Sequence, residues 1–183
     1  MSQRALAVSL AAVLLHAAAA AAQSTMEFTV SGSSTVRNWT CKAQGVVAVT
    51  PGAAATPVPG FATGVQAATV TVPLKAFTCP SDEMTQHLNE TMKSDAFPEI
   101  VFRLEKYDAA GPQAQATGTM TIAGVAKPVS FPVTLKTADA GVQVDGTARL
   151  EFATFGLEPP AVFLGMLKVG PQVRIEFKGL IAR

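Results

Sequence analysis

The fold of this chain is decided by the stretch from Ala116 to Leu135, A-T-G-T-M-T-I-A-G-V-A-K-P-V-S-F-P-V-T-L. In its first half Met120 and Ile122 alternate with polar or small residues, and in its second half Phe131 and Val133 do the same. A glycine and a proline lie between the halves. A period of two, written twice around a turn, predicts a hairpin of two strands that share one buried face. That face must pack against other parts of the protein or against a ligand.

Alternating patterns of the same kind predict further strands on both sides of this hairpin, about eight in all. The first of them, which begins at Met26, is expected to end at a break over Ser31-Gly32-Ser33-Ser34. A run rich in proline, glycine and alanine, from Thr50 to Gly64, predicts a loop. The predicted strands outside the central hairpin cover residues 26–30, 39–49, 65–77, 100–105, 141–152 and 173–178.

One short helix is predicted between Pro80 and Pro98. A proline, a serine and two acidic residues open it, as helix first turns favour. Met84, Leu88 and Met92 then recur every fourth residue and form one apolar stripe. The helix is expected to cover an open barrel end.

Many strands, one helix and short connections are typical of a sandwich or an up-and-down barrel. We favour an all-β, antiparallel, eight-stranded barrel, because closing the sheet leaves no unpaired edge strand.

The first 22 residues have the pattern of a secretory signal peptide. Arg4 supplies the positive charge, Ala5 to Leu15 the apolar region and Ala20-Ala21-Ala22 a small-residue cleavage site. An uncleaved anchor helix is the alternative, but the run is mostly alanine. Residues 23–183 are then one domain, expected to be periplasmic or secreted and without stable membrane insertion.

The net charge of the mature chain excludes one class of partner. Loss of Arg4 lowers the count of Lys and Arg from 14 to 13, which equals the 13 Asp and Glu. A neutral chain without a basic stripe is not expected to hold a nucleic-acid backbone.

The two cysteines, Cys41 and Cys79, both lie in the mature chain. In an exported protein such a pair favours a structural disulfide. They are too far apart in sequence for a C-x-x-C redox motif.

Residues suited to catalysis are scarce. His87 is the only histidine after the signal peptide, and no G-x-S-x-G motif is present. Glu83, His87 and Glu90 share one helix face and could bind a metal, but a solvated face has the same spacing. The sequence therefore predicts neither an enzyme nor a metal site, and no cofactor.

The large apolar side chains are more informative. An eight-stranded barrel has an interior that is either filled by side chains or able to hold one small ligand. Periodicity does not choose between the two, although the many methionines favour an adaptable pocket.

Several segments resemble the YceI-like family of exported lipid-binding proteins. The segment that matches the family most specifically is T-G-T-M-T-I-A-G-V-A-K-P-V at Thr117 to Val129. Further matches are F-T-V-S-G-S-S-T-V at 28–36, H-L-N-E-T-M at 87–92, F-P-E-I-V-F at 97–102 and A-R-L-E-F-A-T-F-G-L at 148–157. The resemblance implies a lipocalin-like barrel whose lumen holds an isoprenoid chain or similar amphiphile. The chain departs from the family at Gly32-Ser33, where an early histidine is usual, and at Met84-Thr85-Gln86, where Arg-Asp usually leads into His-Leu.

We therefore expect an exported carrier or sequestering protein for an isoprenoid-type or other amphiphilic lipid, as a monomer or homodimer. The alternative is a filled barrel that acts as a structural or interaction module without a small ligand. The residues expected to line the apolar lumen are Val70, Val72, Met84, Leu88, Met92, Phe102, Met120, Ile122, Phe131, Val133, Leu150, Phe152, Phe155, Phe163 and Met166.

Overall fold

The computed structural model describes residues 22–52, 55–162 and 166–182. The predicted signal peptide lies outside these residues, apart from Ala22, so its cleavage stays a prediction. The elements in chain order are β1 (Ala22–Ser34), β2 (Asn38–Pro51), β3 (Val65–Pro73), α1 (Asp82–Thr91), β4 (Glu99–Ala110), β5 (Gln113–Ile122), β6 (Val125–Ala138), β7 (Gly141–Glu151), β8 (Ala161–Val162) and β9 (Leu167–Ala182). Short 3-10 turns cover Leu74–Ala76 and Phe152–Phe155.

The long strands form a closed antiparallel barrel. Each strand from β1 to β6 pairs with the one that follows it, and β9 pairs with both β7 and β1. The short β8 pairs only with β9, outside the ring. Closure satisfies the backbone groups that an open sheet would leave at its edges. The predicted eight-stranded, lipocalin-like barrel is confirmed.

The central hairpin is β5 and β6, joined at Ala123 and Gly124. Both turn residues have positive φ, at 47° and 78°, as a two-residue turn between twisted strands requires. Pro128 and Pro132 lie within β6 rather than in the connection. The strand tolerates both prolines on its β7 side, because β6 pairs with β7 only from Val133 onwards. The missing proline N–H groups therefore cost no hydrogen bond to β7.

The expected break at Ser31–Ser34 is wrong. Instead, β1 continues to Ser34 and pairs with β2 through Ser33. The indole of Trp39 lies across Gly32, where a Cβ would come within 2.3 Å of the ring. This glycine therefore allows a close approach inside a strand rather than ending one.

Other strand ends also differ from the prediction, and two predicted strands are too long. The strand expected to reach Phe77 stops at Pro73, where a 3-10 turn begins. Phe152 likewise belongs to a 3-10 turn rather than to β7.

The two ends of the barrel are built differently. The loop between β2 and β3 closes the lower end with Val58 and Phe61, which bond to each other through their backbones and are both buried. Gly60, at φ 82°, packs directly on the fully buried Val142. At the upper end the segment 74–98 carries α1 over the opening.

Of the helices described, none is both long and apolar enough to cross a membrane.

Helix α1 begins at Asp82, and Ser81, which was expected in its first turn, is the N-cap. The Ser81 side chain accepts a hydrogen bond from the Met84 amide at 3.2 Å, and two acidic residues follow in the first turn. Met84, Leu88 and the adjoining Met92 pack against Cys41, Leu74 and Phe77.

Candidate functional site

Two apolar cavities, one above the other, lie among the described residues of the barrel interior. The upper cavity, below α1, has a volume of about 220 Å³. The lower cavity has a volume of about 190 Å³. Val30, Phe77, Ile100 and Ile175 line both cavities and mark the boundary between them.

The upper cavity is formed between α1 and the 3-10 turn Phe152–Phe155. The apolar stripe of the helix forms one wall, and the two phenylalanines of the turn help to form another. Polar and charged side chains also line this cavity: Ser34, Arg37, Ser81, Glu83, His87, Thr91 and Glu151. Because most of these side chains are exposed, this end of the lumen has an apolar interior and a polar rim.

Three titratable side chains lie close together along α1 at the rim. His87 lies 3.7 Å from a Glu83 oxygen and 3.4 Å from a Glu90 oxygen. The Gln86 amide donates to Glu90 at 2.8 Å. This bond, and then the one to His87, hold the pKa of the Glu90 carboxyl below its ordinary value.

The lower cavity is surrounded by aromatic rings. The Phe131 ring centroid lies 5.0 Å from that of Phe102 and 5.6 Å from that of Phe177. Phe28 continues the row, 6.2 Å from Phe177. Among the described residues, no acidic, basic or thiol side chain lines this cavity. It therefore offers a solute apolar contacts and little else.

Of the described residues that line the lower cavity, Tyr107 is the one with a polar side chain. Tyr107 directs its hydroxyl to the loop between β2 and β3, where it accepts from the Val65 amide at 3.0 Å and contacts the Thr56 carbonyl. The hydroxyl is thus used to hold the lower loop in place.

The structure places thirteen of the expected lumen residues in the cavity walls. Those at the upper cavity are Met84, Leu88, Met92, Ile122, Leu150, Phe152 and Phe155. Those at the lower cavity are Val70, Val72, Phe102, Met120, Phe131 and Val133. Their contact with a ligand stays a prediction.

Two of the expected residues are not in these walls. Met166 is 74% exposed, so its placement in the lumen is wrong. Its backbone carbonyl accepts from the Thr35 hydroxyl at 3.0 Å. Phe163 lies outside the described residues.

The residues that were expected to line the lumen did not include those at the boundary between the two cavities. Val30, Ile100 and Ile175 each belong to an alternating apolar row that was visible in the sequence. Phe77 was placed at the end of a predicted strand, out of phase with the apolar row of that strand, whereas it follows a 3-10 turn. Phe28 and Phe177 were also missed, although their alternation could have identified them.

The predicted disulfide is confirmed. Cys41 and Cys79 are bonded, with their Cα atoms 4.3 Å apart. Cys41 is on β2, and Cys79 ends the segment that leads from the Leu74–Ala76 turn towards α1. The bond therefore ties the upper covering segment to the barrel wall.

The three helix residues considered for a metal do not form a recognisable metal site. Within residues 22–52, 55–162 and 166–182, no group of three His, Cys, Asp or Glu side chains is arranged to hold a metal ion.

A closed antiparallel barrel around an apolar interior, with a polar rim at one end, defines a lipocalin-like class of protein. Within that class, a family model for the YceI-like domain matches residues 18–179. The chain belongs to the YceI-like family, and the resemblance seen in its sequence is confirmed.

Solved structures of other bacterial proteins share this fold. Burkholderia cenocepacia BcnA has a TM-score of 0.65 and 19% identity, over 86% of this chain and 96% of that one. A polyisoprenoid binding domain from Saccharophagus degradans has a TM-score of 0.65 and 12% identity, over 89% and 99% of the two chains. The Campylobacter jejuni YCEI protein has a TM-score of 0.60 and 14% identity, over 76% and 81%. Comparison with curated protein sequences finds no significant match.

Proposed function

We propose that this protein binds an amphiphile with an isoprenoid-type apolar chain inside its barrel and acts as an exported carrier or sequestering protein. The observation that carries the proposal is the pair of apolar cavities, of about 220 and 190 Å³, in the lumen. An engineered apolar cavity of about 150 Å³ already binds benzene. Each cavity here is larger, which favours a ligand-binding barrel over a filled structural module.

The difference between the two barrel ends indicates how the ligand is oriented in the lumen. Val58 and Phe61 close the lower end, whereas the upper cavity is bordered by a polar rim. An amphiphile inserted with its chain first would place carbon in the lumen and its polar head among the rim side chains, where water remains available. The opposite orientation would bury a polar head among aromatic rings without a partner, which is costly.

The chemistry of the ligand is supported by the lining and by one relative. Binding by apolar burial requires few polar groups, and the lower cavity provides almost none. The Saccharophagus degradans protein of the same fold is a polyisoprenoid binding domain. Export is supported by the signal-peptide pattern and by the disulfide, which persists in oxidising compartments. We propose binding alone, without a catalytic step.

Trp39, the single tryptophan, lines the upper cavity and provides a direct test. Titration of the purified protein with farnesol is expected to change the Trp39 emission to saturation at one equivalent. Native mass spectrometry of the same mixture is expected to show a one-to-one complex. Glycerol, which is polar throughout, is the control and is expected to give neither signal. No saturable binding of farnesol by either method would overturn the proposal.

A further inference from the structure

Phe77 differs from the other residues at the boundary between the two cavities. Val30, Ile100 and Ile175 are carried by β1, β4 and β9, where strand pairing fixes the backbone. Phe77 lies instead on the segment that crosses the upper end of the barrel between β3 and α1. Its side chain is buried and lines both cavities.

The segment that carries Phe77 is anchored on both sides of the ring. Before it, the Leu74 amide donates to the Pro98 carbonyl at 2.8 Å, and the Phe77 amide donates to the Leu74 carbonyl at 3.1 Å. After it, Thr78 and Lys42 exchange two backbone hydrogen bonds, at 2.7 and 2.8 Å.

The disulfide adds a covalent anchor close to the same ring. Cys79 is two residues beyond Phe77 and is bonded to Cys41 of β2, next to Lys42. Leu74, at the start of the segment, is almost completely buried at 1% exposure. Phe77 is thus a ring inserted into the lumen on a segment that is held by backbone bonds, by burial and by a crosslink.

We propose that Phe77 is a specificity-determining residue that limits how deeply an apolar chain enters the barrel, and so sets the chain length that the protein prefers. This inference rests on the proposed function. A chain that enters below α1 fills the upper cavity first and meets the Phe77 ring before it reaches the lower one. The rings around the lower cavity are then available only to a chain that passes Phe77.

The cavity volumes indicate where the limit falls. By comparison with the cavity of about 150 Å³ that holds benzene, the upper cavity of about 220 Å³ holds one to two isoprene units. Further units reach apolar wall only if the boundary opens. In the wild-type protein, affinity is therefore expected to rise with chain length and then to level off.

The test compares chain-length profiles for geraniol, farnesol and geranylgeraniol, each one isoprene unit longer than the last. Dissociation constants are measured by Trp39 fluorescence on wild type and on Phe77→Ala. Because each buried methylene strengthens binding severalfold, Phe77→Ala is expected to favour geranylgeraniol over geraniol by about tenfold more than wild type does. Phe97→Ala is the matched control, since Phe97 is 38% exposed and lines neither cavity.

Two further substitutions keep the test decisive if Phe77→Ala folds poorly. Phe77→Leu shortens the ring to a flexible branched chain and is expected to shift the profile in the same direction by a smaller factor. Phe77→Trp enlarges the ring and is expected to weaken binding of the longest prenol most. Shifts of this order support the proposal.

The failure of this inference is distinguishable from the failure of the proposed function. If wild type binds prenols and the folded Phe77 variants keep the wild-type profile, Phe77 does not set chain length and the inference is overturned by itself. If wild type binds no prenol of any length, the proposed function is overturned, and the inference with it.

Discussion

Substitution of two valines, two positions apart on one strand, tests whether the lumen is open in the ligand-free protein. Val142 and Val144 both point inwards from β7 and are both buried, at 0% and 7% exposure. Val142 packs against Gly60 in the lower closure and lines neither of the two cavities. Val144 lines the lower cavity. The substitutions Val142→Ala and Val144→Ala therefore delete the same atoms from a packed site and from a cavity wall.

The expected losses of unfolding free energy follow from these surroundings. At Val142 the two lost carbon groups forfeit about 1.6 kcal/mol of transfer free energy. A new void of roughly 50 Å³ adds about 1 kcal/mol, at about 24 cal/mol per Å³. At Val144 part of the side chain already faces empty space, so both contributions are smaller. We expect a total loss of about 2.5 kcal/mol for Val142→Ala and about half of that for Val144→Ala.

The assay is urea unfolding of the ligand-free forms, followed by circular dichroism. Unchanged slopes with lowered midpoints would identify the differences as changes in stability rather than in the denatured state. Ligand-free wild type is the reference. Equal losses for the two variants would refute the reasoning, because they would mean that the lumen around Val144 is packed as solidly as the lower closure.

Three other predictions concern the disulfide, an aromatic wall residue and the helix carboxylate. Reduction of Cys41–Cys79, which are 38 residues apart, is expected to lower the unfolding free energy by about 4 kcal/mol on the chain-entropy model; a loss below about 1 kcal/mol in urea titrations with and without reductant would contradict it. Phe131→Ala is expected to cost the ligand-free protein about 2 kcal/mol, less than the roughly 3–5 kcal/mol of a solid core, and to weaken farnesol binding; core-sized destabilisation with unchanged affinity would count against an open lumen. Gln86→Ala is expected to raise the pKa of Glu90 towards its ordinary value of 4.5, as read by NMR titration of the carboxyl carbon. Because a lowered carboxyl pKa stabilises the fold above the unfolded value and this stabilisation is lost as the pH falls through the folded one, the variant should be less stable than wild type above about pH 4.5 and should approach it as the pH falls below that value; superimposable titration curves would exclude the Gln86 bond as the cause.

The alternation of residues along the chain determined which side of each strand faces the barrel interior. Met120, Ile122 and Phe131 were assigned to the inner face from the period of two alone, and they lie there. The apolar stripe of α1 likewise predicted which helix face packs on the barrel. These are local properties, since the chemistry of successive residues and the geometry of a strand or helix are enough to produce them.

Tertiary structure decided the exceptions to this pattern. Gly32 looked like a break and is a site of close approach, because its partner is the indole of Trp39 on the neighbouring strand. Met166 looked like another apolar side chain for the lumen and is exposed, and its backbone carbonyl accepts a hydrogen bond from Thr35. In both cases the contact joins residues that are not neighbours in the sequence.

The state of the lumen is the main property that the sequence left open. Periodicity identifies inward-facing residues, but whether they meet across the barrel depends on strand tilt, on the ring diameter and on which side chains from distant segments share each level. The lower end is closed by Val58 and Phe61 from a loop, and the boundary between the cavities is completed by Phe77 from a disulfide-anchored segment. A cavity remains where the strands enclose more volume than the inward-facing side chains fill. Both volumes are set only when the whole barrel is assembled.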